Sequence, residues 1–167
     1  MTPDLTLTEK INNKLMKIGI ATDHGGYELK QVIHQYLIDL GHEVVDFGAY
    51  SIDKNDDYPD FVIPLANAVA NKEVERGVAV CGSGVGASVA ANKVAGVRAA
   101  LINEHYSAHQ GVEHDDLNIL CLGGRVVGIV TAQELVSAFV DAEFTAEERH
   151  VRRLDKVKAI EHQNIKS

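Results

Sequence analysis

Short apolar runs alternate with amphipathic helical patterns along most of this chain. The apolar runs predict buried strands, and each is followed by a segment whose apolar residues recur every three or four positions, as on one face of a helix. Such alternation is typical of βαβ units, and therefore of a parallel sheet with helices on both faces. The predicted strands are 17–23, 43–47, 77–81, 98–102 and 118–122.

The helical patterns between these strands indicate one domain. Helices are predicted over 29–40, 59–71, 84–93, 104–114 and 132–140, and a sixth begins near 147. A chain of 167 residues is long enough for one α/β domain with a sizeable core and short for two. We therefore predict an α/β fold, a single Rossmann-like, doubly wound domain over 17–167 with a five-stranded parallel sheet and an extra C-terminal helix. Residues 1–16 are predicted to be a polar N-terminal extension.

Acidic residues outnumber basic residues over most of the chain, but not at its C-terminal end. The formal net charge is −8, which argues against nucleic acid or an anionic membrane as partners. Residues 147–167 hold six basic and four acidic residues, a net charge of +2, which leaves −10 for the rest. A basic segment on an acidic body predicts a specific anion site.

The two cysteines, Cys81 and Cys121, are too few for a disulfide framework. Residues 1–16 lack the apolar core of a secretory signal, and no stretch approaches the roughly 18 apolar residues of a membrane span. We therefore expect a cytoplasmic protein with free thiols. Cys121 lies in mid-strand among apolar neighbours, where we expect a small inert side chain.

Candidate site residues follow the predicted strands, because ligands of doubly wound sheets bind outside the carboxyl ends of the strands. Asp23 and His24 follow the first strand, the loop 81–86 ends the third, and the segment 123–125 ends the fifth. Together they offer a carboxylate, an imidazole, a thiol, a glycine-rich loop and a guanidinium. So polar a set predicts a functional site.

The loop 81–86, with the sequence CGSGVG, leads from a strand into a helix, where free backbone N–H groups can bind an anion or an oxyanion. A simple tight turn is the plainest alternative. A dinucleotide-binding loop is another, since Glu104 lies at a suitable distance, but the G-x-G-x-G spacing and the position after the third strand disfavour it. A phosphatase-type C-x5-R loop needs an arginine where Ala87 stands.

Two predicted helices carry further polar groups. His105, His109 and Glu113 share one helix face and have the spacing of metal ligands, but a solvated face explains them equally well, and we predict no metal site. Arg149 and Arg153 lie one helical turn apart, an arrangement suited to gripping a phosphate, although it also fits a solvated basic face.

Further polar residues lie next to the arginine pair and at the end of the helix that carries His105 and His109. His150 and Arg152 add possible donors beside the arginine pair. His114, at the end of a predicted helix, fits helix capping and catalysis equally well.

Six segments in this order resemble a known family: DHGGYELK, DYPDF, CGSGVGASVAANKVAGVRAAL, EHDDLN, GGRVVG and RHVRR. They resemble the sugar-phosphate isomerases that include ribose-5-phosphate isomerase B and the galactose-6-phosphate isomerase subunits, and the resemblance covers about residues 17–161. The resemblance implies an aldose–ketose isomerase of the pentose phosphate pathway that interconverts ribose 5-phosphate and ribulose 5-phosphate through a cis-enediolate, without metal or other cofactor. It also implies a homodimer with active sites shared between subunits, or a homotetramer.

The resemblance assigns roles position by position. Cys81 matches the base that moves a proton between C2 and C1, and Ala87 stands where other members place a glutamate, so the chain resembles the cysteine type. Ser83 matches the residue that handles protons on O1 and O2. Asp23 and His114 match the pair that assists opening of the furanose ring. The remaining matches bind substrate: the loop residues Gly82, Gly84, Val85 and Gly86 at the enediolate, and His24, Arg125, Arg149 and Arg153 at the phosphate.

One departure from the family leaves the preferred sugar open. Asp115 stands where the family usually has asparagine, and a carboxylate there accepts a hydrogen bond from a sugar hydroxyl but repels an enediolate or a phosphate. His114 favours the ribose-type members. The alternatives are an isomerase of a six-carbon sugar phosphate such as allose 6-phosphate, a non-catalytic sugar-phosphate-binding protein, and a dinucleotide-binding oxidoreductase.

Overall fold

The computed structural model describes residues 14–164, and its centre is a five-stranded parallel sheet in the order β2-β1-β3-β5-β4. The strands are β1 (Lys17–Thr22), β2 (Glu43–Asp46), β3 (Arg76–Cys81), β4 (Ala99–Leu101) and β5 (Ile119–Gly123). Each lies within one residue of its predicted bounds, because buried parallel strands are continuous apolar runs. The predicted fold is confirmed.

Six helices connect and follow these strands: α1 (Tyr27–Asp39), α2 (Pro59–Ala70), α3 (Val85–Ala91), α4 (His105–Asp115), α5 (Ile129–Asp141) and α6 (Glu148–Asn164). A 3-10 turn, His24–Gly26, precedes α1, and the Asp23 carboxylate caps it by accepting a hydrogen bond from the Gly25 N–H at 2.9 Å. No helix between residues 14 and 164 is long and apolar enough to span a bilayer. Residues 1–13 of the predicted extension lie outside the described part.

The helices form two layers, one on each face of the sheet. On one face α1, α4 and α5 cover strand residues such as Ile20, Val80 and Leu122. On the other face α2 and α3 cover smaller strand residues such as Ala21 and Ala79. Because successive side chains of a strand point to opposite faces of the sheet, each strand contributes apolar residues to both layers.

The strand order changes direction between β1 and β3, because the chain first adds β2 on one side of β1 and then β3 on the other side. Doubly wound sheets bind ligands at such a switch point. β1 pairs with β2 on one side and with β3 on the other. The register of β1 and β3 places Thr22 opposite Val80. The residues that follow, Asp23 and Cys81, therefore emerge side by side at the carboxyl edge of the sheet.

α4 carries the chain back to the opposite edge. It begins after β4, at the carboxyl edge, and ends at Asp115, just before β5 starts at the amino edge. Gly77 pairs with Ile119 and Cys81 with Gly123, so the two edges of β3 and β5 are four residues apart, or roughly 13 Å at about 3.3 Å per residue. α6 packs against α4 on this side of the molecule.

Candidate active site

Three loops meet at the carboxyl edge and are locked to one another by backbone contacts. The N–H of Gly124 donates to the carbonyl of Cys81 at 2.8 Å, and the N–H of Arg125 donates to the carbonyl of Gly82 at 3.0 Å. A Cβ at Gly124 would lie 2.8 Å from the carbonyl oxygen of Gly25, in the first loop. Glycine is therefore required where the loops after β1 and β5 approach so closely.

A pocket of about 440 Å³ opens between these loops. It brings together six of the predicted site residues and adds two others. The lining residues are Asp23, Tyr58, Cys81, Gly82, Ser83, Gly86, Arg125 and Val126.

Cys81 is 4% exposed and lines this pocket. Its Sγ accepts a hydrogen bond from the N–H of Gly84 at 3.0 Å. Gly84 has a φ of 81°, in the left-handed region that favours glycine, and this conformation turns the chain from β3 into α3. The hydroxyl of Ser83 accepts the N–H of Val85 at 3.3 Å. Two N–H groups of the loop therefore point towards the Cys81 sulfur and the Ser83 hydroxyl.

The second cysteine has a different environment. Cys121 is fully buried in β5 against the α2 and α3 layer. Burial first, and the neighbouring Cys81 second, raise the pKa of the Cys121 thiol far above its usual range. Cys121 therefore remains a protonated thiol at neutral pH, as expected from its apolar neighbours.

His24 is fixed by a carboxylate that the sequence did not single out. Oδ1 of Asp56 lies 2.6 Å from Nδ1 of His24 and also accepts the backbone N–H of His24 at 3.0 Å. A carboxylate accepts hydrogen bonds, so Nδ1 of His24 carries the proton and Nε2 is left for a ligand. His24 and Arg125 line a second pocket of about 220 Å³, and Arg125 lines both pockets.

The fully buried Lys30 anchors the start of the loop that carries Asp56 and Tyr58. Nζ of Lys30 donates to both carboxylate oxygens of Asp46, at 2.8 and 2.7 Å, and to the carbonyl of Ala49 at 2.9 Å. These three bonds use all the donors of the ammonium group. They hold the start of the loop between β2 and α2 against α1.

Asp23, His24 and Asp56 are the three residues between 14 and 164 whose His, Cys, Asp or Glu ligand atoms lie close enough for a metal, within 4.8 Å of one another. Two ligands of a tetrahedral zinc ion, each about 2.0–2.1 Å from the metal, stand well over 3 Å apart. The 2.6 Å contact of His24 with Asp56 is instead a hydrogen-bond distance. His105, His109 and Glu113 lie along the groove between α4 and α5, where Nδ1 of His109 pairs with Glu113 at 3.1 Å.

Four predicted site residues lie elsewhere: His114 and Asp115 at the end of α4, and Arg149 and Arg153 on α6. The N–H of Thr145 donates to the carbonyl of Glu113 at 3.0 Å and joins the start of α6 to the end of α4. None of the four lines either pocket at the carboxyl edge. Within one chain the fold separates them from Cys81.

The side chains on α6 point in different directions. Arg149 is exposed and pairs with Glu147 at 3.0 Å, and Arg153 is exposed. His150 instead turns inward, is 1% exposed, and stacks on the ring of His114. The expectation that His150 adds a donor beside the arginines is therefore wrong for this chain alone, because its ring is buried under α4.

Tyr58 and Asp56 are site residues that sequence reasoning missed. The Tyr58 ring packs against the backbone of Gly86, where a Cβ would lie 2.7 Å from Cζ. A tyrosine before the proline that begins a helix was the available signal, since DYPDF was one of the recognised segments. Asp56 sits in a run of polar residues and had no comparable signal.

Comparisons with known proteins identify the family of this chain. The model of the family described as Ribose/Galactose Isomerase matches residues 18–157. Ribose-5-phosphate isomerase B from Escherichia coli is 42% identical over 147 residues, which cover 88% of this chain and 97% of that protein.

Solved structures give the same result. The structure of ribose-5-phosphate isomerase B from Clostridium thermocellum is 47% identical, covers 89% of this chain and 99% of its own, and superposes with a TM-score of 0.86. The enzyme from Mycoplasma genitalium with bound ribulose-5-phosphate is 41% identical, with coverages of 87% and 96% and a TM-score of 0.83. From the length of the family match and the near-complete coverage of these relatives, this chain belongs to the ribose/galactose isomerase family.

Proposed function

We propose that this protein interconverts ribose 5-phosphate and ribulose 5-phosphate by proton transfer through a cis-enediolate, with Cys81 as the base, as a step of the pentose phosphate pathway. One observation carries the proposal. Cys81 lines a pocket that also holds Asp23, Ser83 and Arg125. The relative that was solved with bound ribulose-5-phosphate supports this substrate.

The proton transfer needs one base that reaches two neighbouring carbons. Cys81, as the thiolate, takes the proton from C2 of the open-chain aldose and returns it to C1, which converts the aldehyde into the ketose. The hydroxyl of Ser83 exchanges protons with O1 and O2. Backbone N–H groups of residues 82–86 stabilise the negative charge on the enediolate oxygen. A positioned acid or base of this kind typically contributes about 10²–10⁴-fold to the rate.

The proposed ring opening uses Asp23 and His114. Ribose 5-phosphate is mainly a furanose, so a proton must leave the anomeric hydroxyl and another must reach the ring oxygen before C2 can react. Asp23 lies in the Cys81 pocket. His114 would face it from another subunit.

The proposed phosphate site lies beside the sugar pocket. His24 and Arg125 line the adjoining 220 Å³ pocket, and Asp56 fixes the His24 ring there. Arg149 and Arg153 would complete this site from another subunit. Guanidinium groups suit the role because they bind phosphate oxygens with paired N–H donors.

The separation of these groups within one chain supports a homodimer with shared sites. His114 lies at the amino edge of the sheet, α6 with its two arginines packs against α4, and Cys81 lies at the carboxyl edge. Contact with a second copy would bring the two halves together. Exposed apolar side chains around the pocket and on α6 are suited to such an interface: Val85, Val89, Val126, Val157 and Ile160. A homotetramer made of two such dimers would keep the same sites.

A six-carbon sugar phosphate is the second candidate substrate. Asp115 is exposed at the end of α4, next to His114. Its carboxylate can accept a hydrogen bond from a sugar hydroxyl, and a longer sugar offers one hydroxyl more.

A substrate panel tests the proposal. Ribose 5-phosphate, allose 6-phosphate and galactose 6-phosphate are each incubated with the protein in the presence of EDTA, and ketose formation is followed. We expect fastest conversion of ribose 5-phosphate, unaffected by EDTA. Faster conversion of a hexose phosphate would favour the second candidate. Binding without conversion would indicate a non-catalytic binding protein, and tight binding of NAD(H) would indicate an oxidoreductase.

A further inference from the structure

His150 is a buried polar side chain that the proposed reaction does not use. It lies in the first turn of α6, and Leu154, one turn further along, is buried on the same face. The ring of His150 stacks on the ring of His114, with centroids 4.0 Å apart and planes inclined by 25°. This stack joins α6 to the end of α4.

The hydrogen bonds of Thr145 define which ring nitrogen of His150 carries the proton. The Thr145 hydroxyl donates its single proton to the carbonyl of Glu113 at 3.0 Å, and its oxygen lies 2.7 Å from Nδ1 of His150. Both contacts are satisfied when Nδ1 carries the proton and donates to Thr145. The opposite tautomer would break the bond to Glu113 and leave a buried N–H without an acceptor, which is rare in proteins.

The other nitrogen, Nε2 of His150, is buried and has no hydrogen-bond partner within residues 14–164. A positive charge on the ring would add a proton at this unpartnered atom. Burial first, then the neighbouring His114, Arg149 and Arg153, lower the pKa of His150, and Glu147 opposes them. The ring is therefore neutral at physiological pH.

His114 is held in turn from two directions. His150 covers one face of its ring, and Nε2 of Gln110 lies 2.7 Å from its Nδ1. The amide nitrogen of Gln110 donates, so Nδ1 of His114 accepts and the proton of the neutral ring is on Nε2. The orientation of the His114 ring and its tautomer are therefore both fixed. A histidine that acts as an acid or a base requires both.

We propose that His150 is a positioning residue for His114. Its neutral ring, anchored by Thr145, is the platform on which the His114 ring stacks so that Nε2–H points outward to substrate. This inference rests on the proposed function, in which His114 exchanges a proton with the furanose. It assigns His150 no contact with the phosphate, although both neighbouring arginines are proposed to bind it.

Two substitutions distinguish the stacking role of the His150 ring from any role of its nitrogen atoms. His150→Phe keeps a flat ring, and we expect it to keep most of the activity on ribose 5-phosphate. His150→Ala removes the ring, and kcat on ribose 5-phosphate should fall by roughly 10- to 100-fold with little change in KM, since a misplaced catalytic group can cost about 10²-fold. Competitive inhibition by inorganic phosphate should be unchanged in both. His162→Ala, at an exposed position of α6, is the matched control.

A double-mutant cycle shows whether His150 acts through His114. Adding His150→Ala to His114→Asn should cause no further loss of kcat. Losses that multiply would overturn the inference, and so would a folded His150→Phe protein as inactive as His150→Ala. Weaker inhibition by phosphate in His150→Phe would show instead that His150 contacts the phosphate.

Nitrogen-15 NMR of the histidine rings keeps this test separate from the test of the proposed function. In the wild-type protein, His150 should be the Nδ1–H tautomer and His114 the Nε2–H tautomer. His150→Ala should shift His114 towards a mixture of tautomers. An unchanged His114 spectrum would overturn the inference whether or not the protein is active, whereas a wild-type protein that converts no sugar phosphate would overturn only the proposed function.

Discussion

Cys81 and Cys121 lie on neighbouring strands of one sheet, yet their surroundings suit them to different tasks. Cys81 ends β3 at the pocket, where its sulfur accepts the Gly84 N–H, while Cys121 is enclosed in β5. Position along the strand is what separates them, because the carboxyl end of a parallel strand opens onto the ligand crevice.

Substitution of Cys81 tests its role as base. Cys81→Ala should lower kcat on ribose 5-phosphate by about 10²–10⁴-fold or more, the usual contribution of a positioned base, with its circular dichroism spectrum and phosphate binding preserved. Cys121→Ala is the matched control and should stay active. Near-normal turnover by Cys81→Ala would mean that another group removes the proton.

Asp56 should affect binding more than turnover. Asp56→Asn removes the carboxylate that fixes His24, and a hydrogen bond to a charged group is worth about 1.5–3 kcal/mol. We expect KM for ribose 5-phosphate and the inhibition constant of phosphate to rise by roughly tenfold or more, with a smaller change in kcat. Asp60→Asn, at an exposed position in the first turn of α2, should have no such effect. An unchanged phosphate affinity in Asp56→Asn would contradict the role of His24.

At the residue scale, sequence reasoning found the groups that follow strands and missed those held by long-range contacts. Asp23, Cys81 and Arg125 were predictable because their position is set by the strand before them. Asp56 reaches His24 from a loop between β2 and α2, 32 residues away in sequence. Its place depends on the packing of that loop, including the ion pair of the buried Lys30 with Asp46.

Among the helices, α4 separates His114 from the other proposed catalytic residues of the same chain. It runs antiparallel to the strands, so the direction of the chain places His114 at the opposite edge from Cys81. This separation follows from the βαβ pattern itself. In the proposed mechanism His114 meets Cys81 only through a second subunit, and the βαβ pattern does not describe subunit contacts.

The role of His114 in ring opening can be separated from proton transfer. His114→Asn should slow the reaction of ribose 5-phosphate much more than that of ribulose 5-phosphate, because the ketose has no furanose to open. Pre-steady-state rates in the two directions provide the measurement. Equal losses in both directions would place His114 in the proton-transfer step and contradict the ring-opening role.

The apolar residues of α6 show a helical periodicity that also includes His150. Leu154, Val157 and Ile160 recur at helical spacing, and of these Leu154 is buried while Val157 and Ile160 are exposed in the single chain. His150 lies four residues before Leu154, so helical spacing alone places it on the buried side. Its basic neighbours led to the opposite prediction.

For the whole molecule, two buried histidines link stability to pH. Burial is the main cause that lowers the pKa of both His42 and His150, while Asp141 and Glu75 partly oppose it at His42. The unfolded chain binds protons at its ordinary histidine pKa of about 6.5, where the folded chain does not. The stability that comes from keeping these two rings neutral is therefore fully present above about pH 6.5. It decreases as the pH falls below that value.

Urea unfolding between about pH 8 and about pH 5 measures this dependence. The free energy of unfolding should fall towards the acid end, and His150→Phe should reduce the slope near pH 6, whereas the exposed His162→Ala should leave it unchanged. A slope that is the same in His150→Phe and wild type would show that His150 is not buried as a neutral ring.

The central claim is that Cys81 of one subunit and the basic face of α6 from another form a single isomerase site. The most direct test mixes Cys81→Ala protein with Arg149→Ala/Arg153→Ala protein, verifies the heterodimer, and follows ribulose 5-phosphate formation with EDTA present. Each parent should be nearly inactive. Each heterodimer should regain one intact site, with the wild-type Cys81 of one chain facing the wild-type arginines of the other, so activity should return on mixing. Verified heterodimers that remain as inactive as their parents would contradict the shared site.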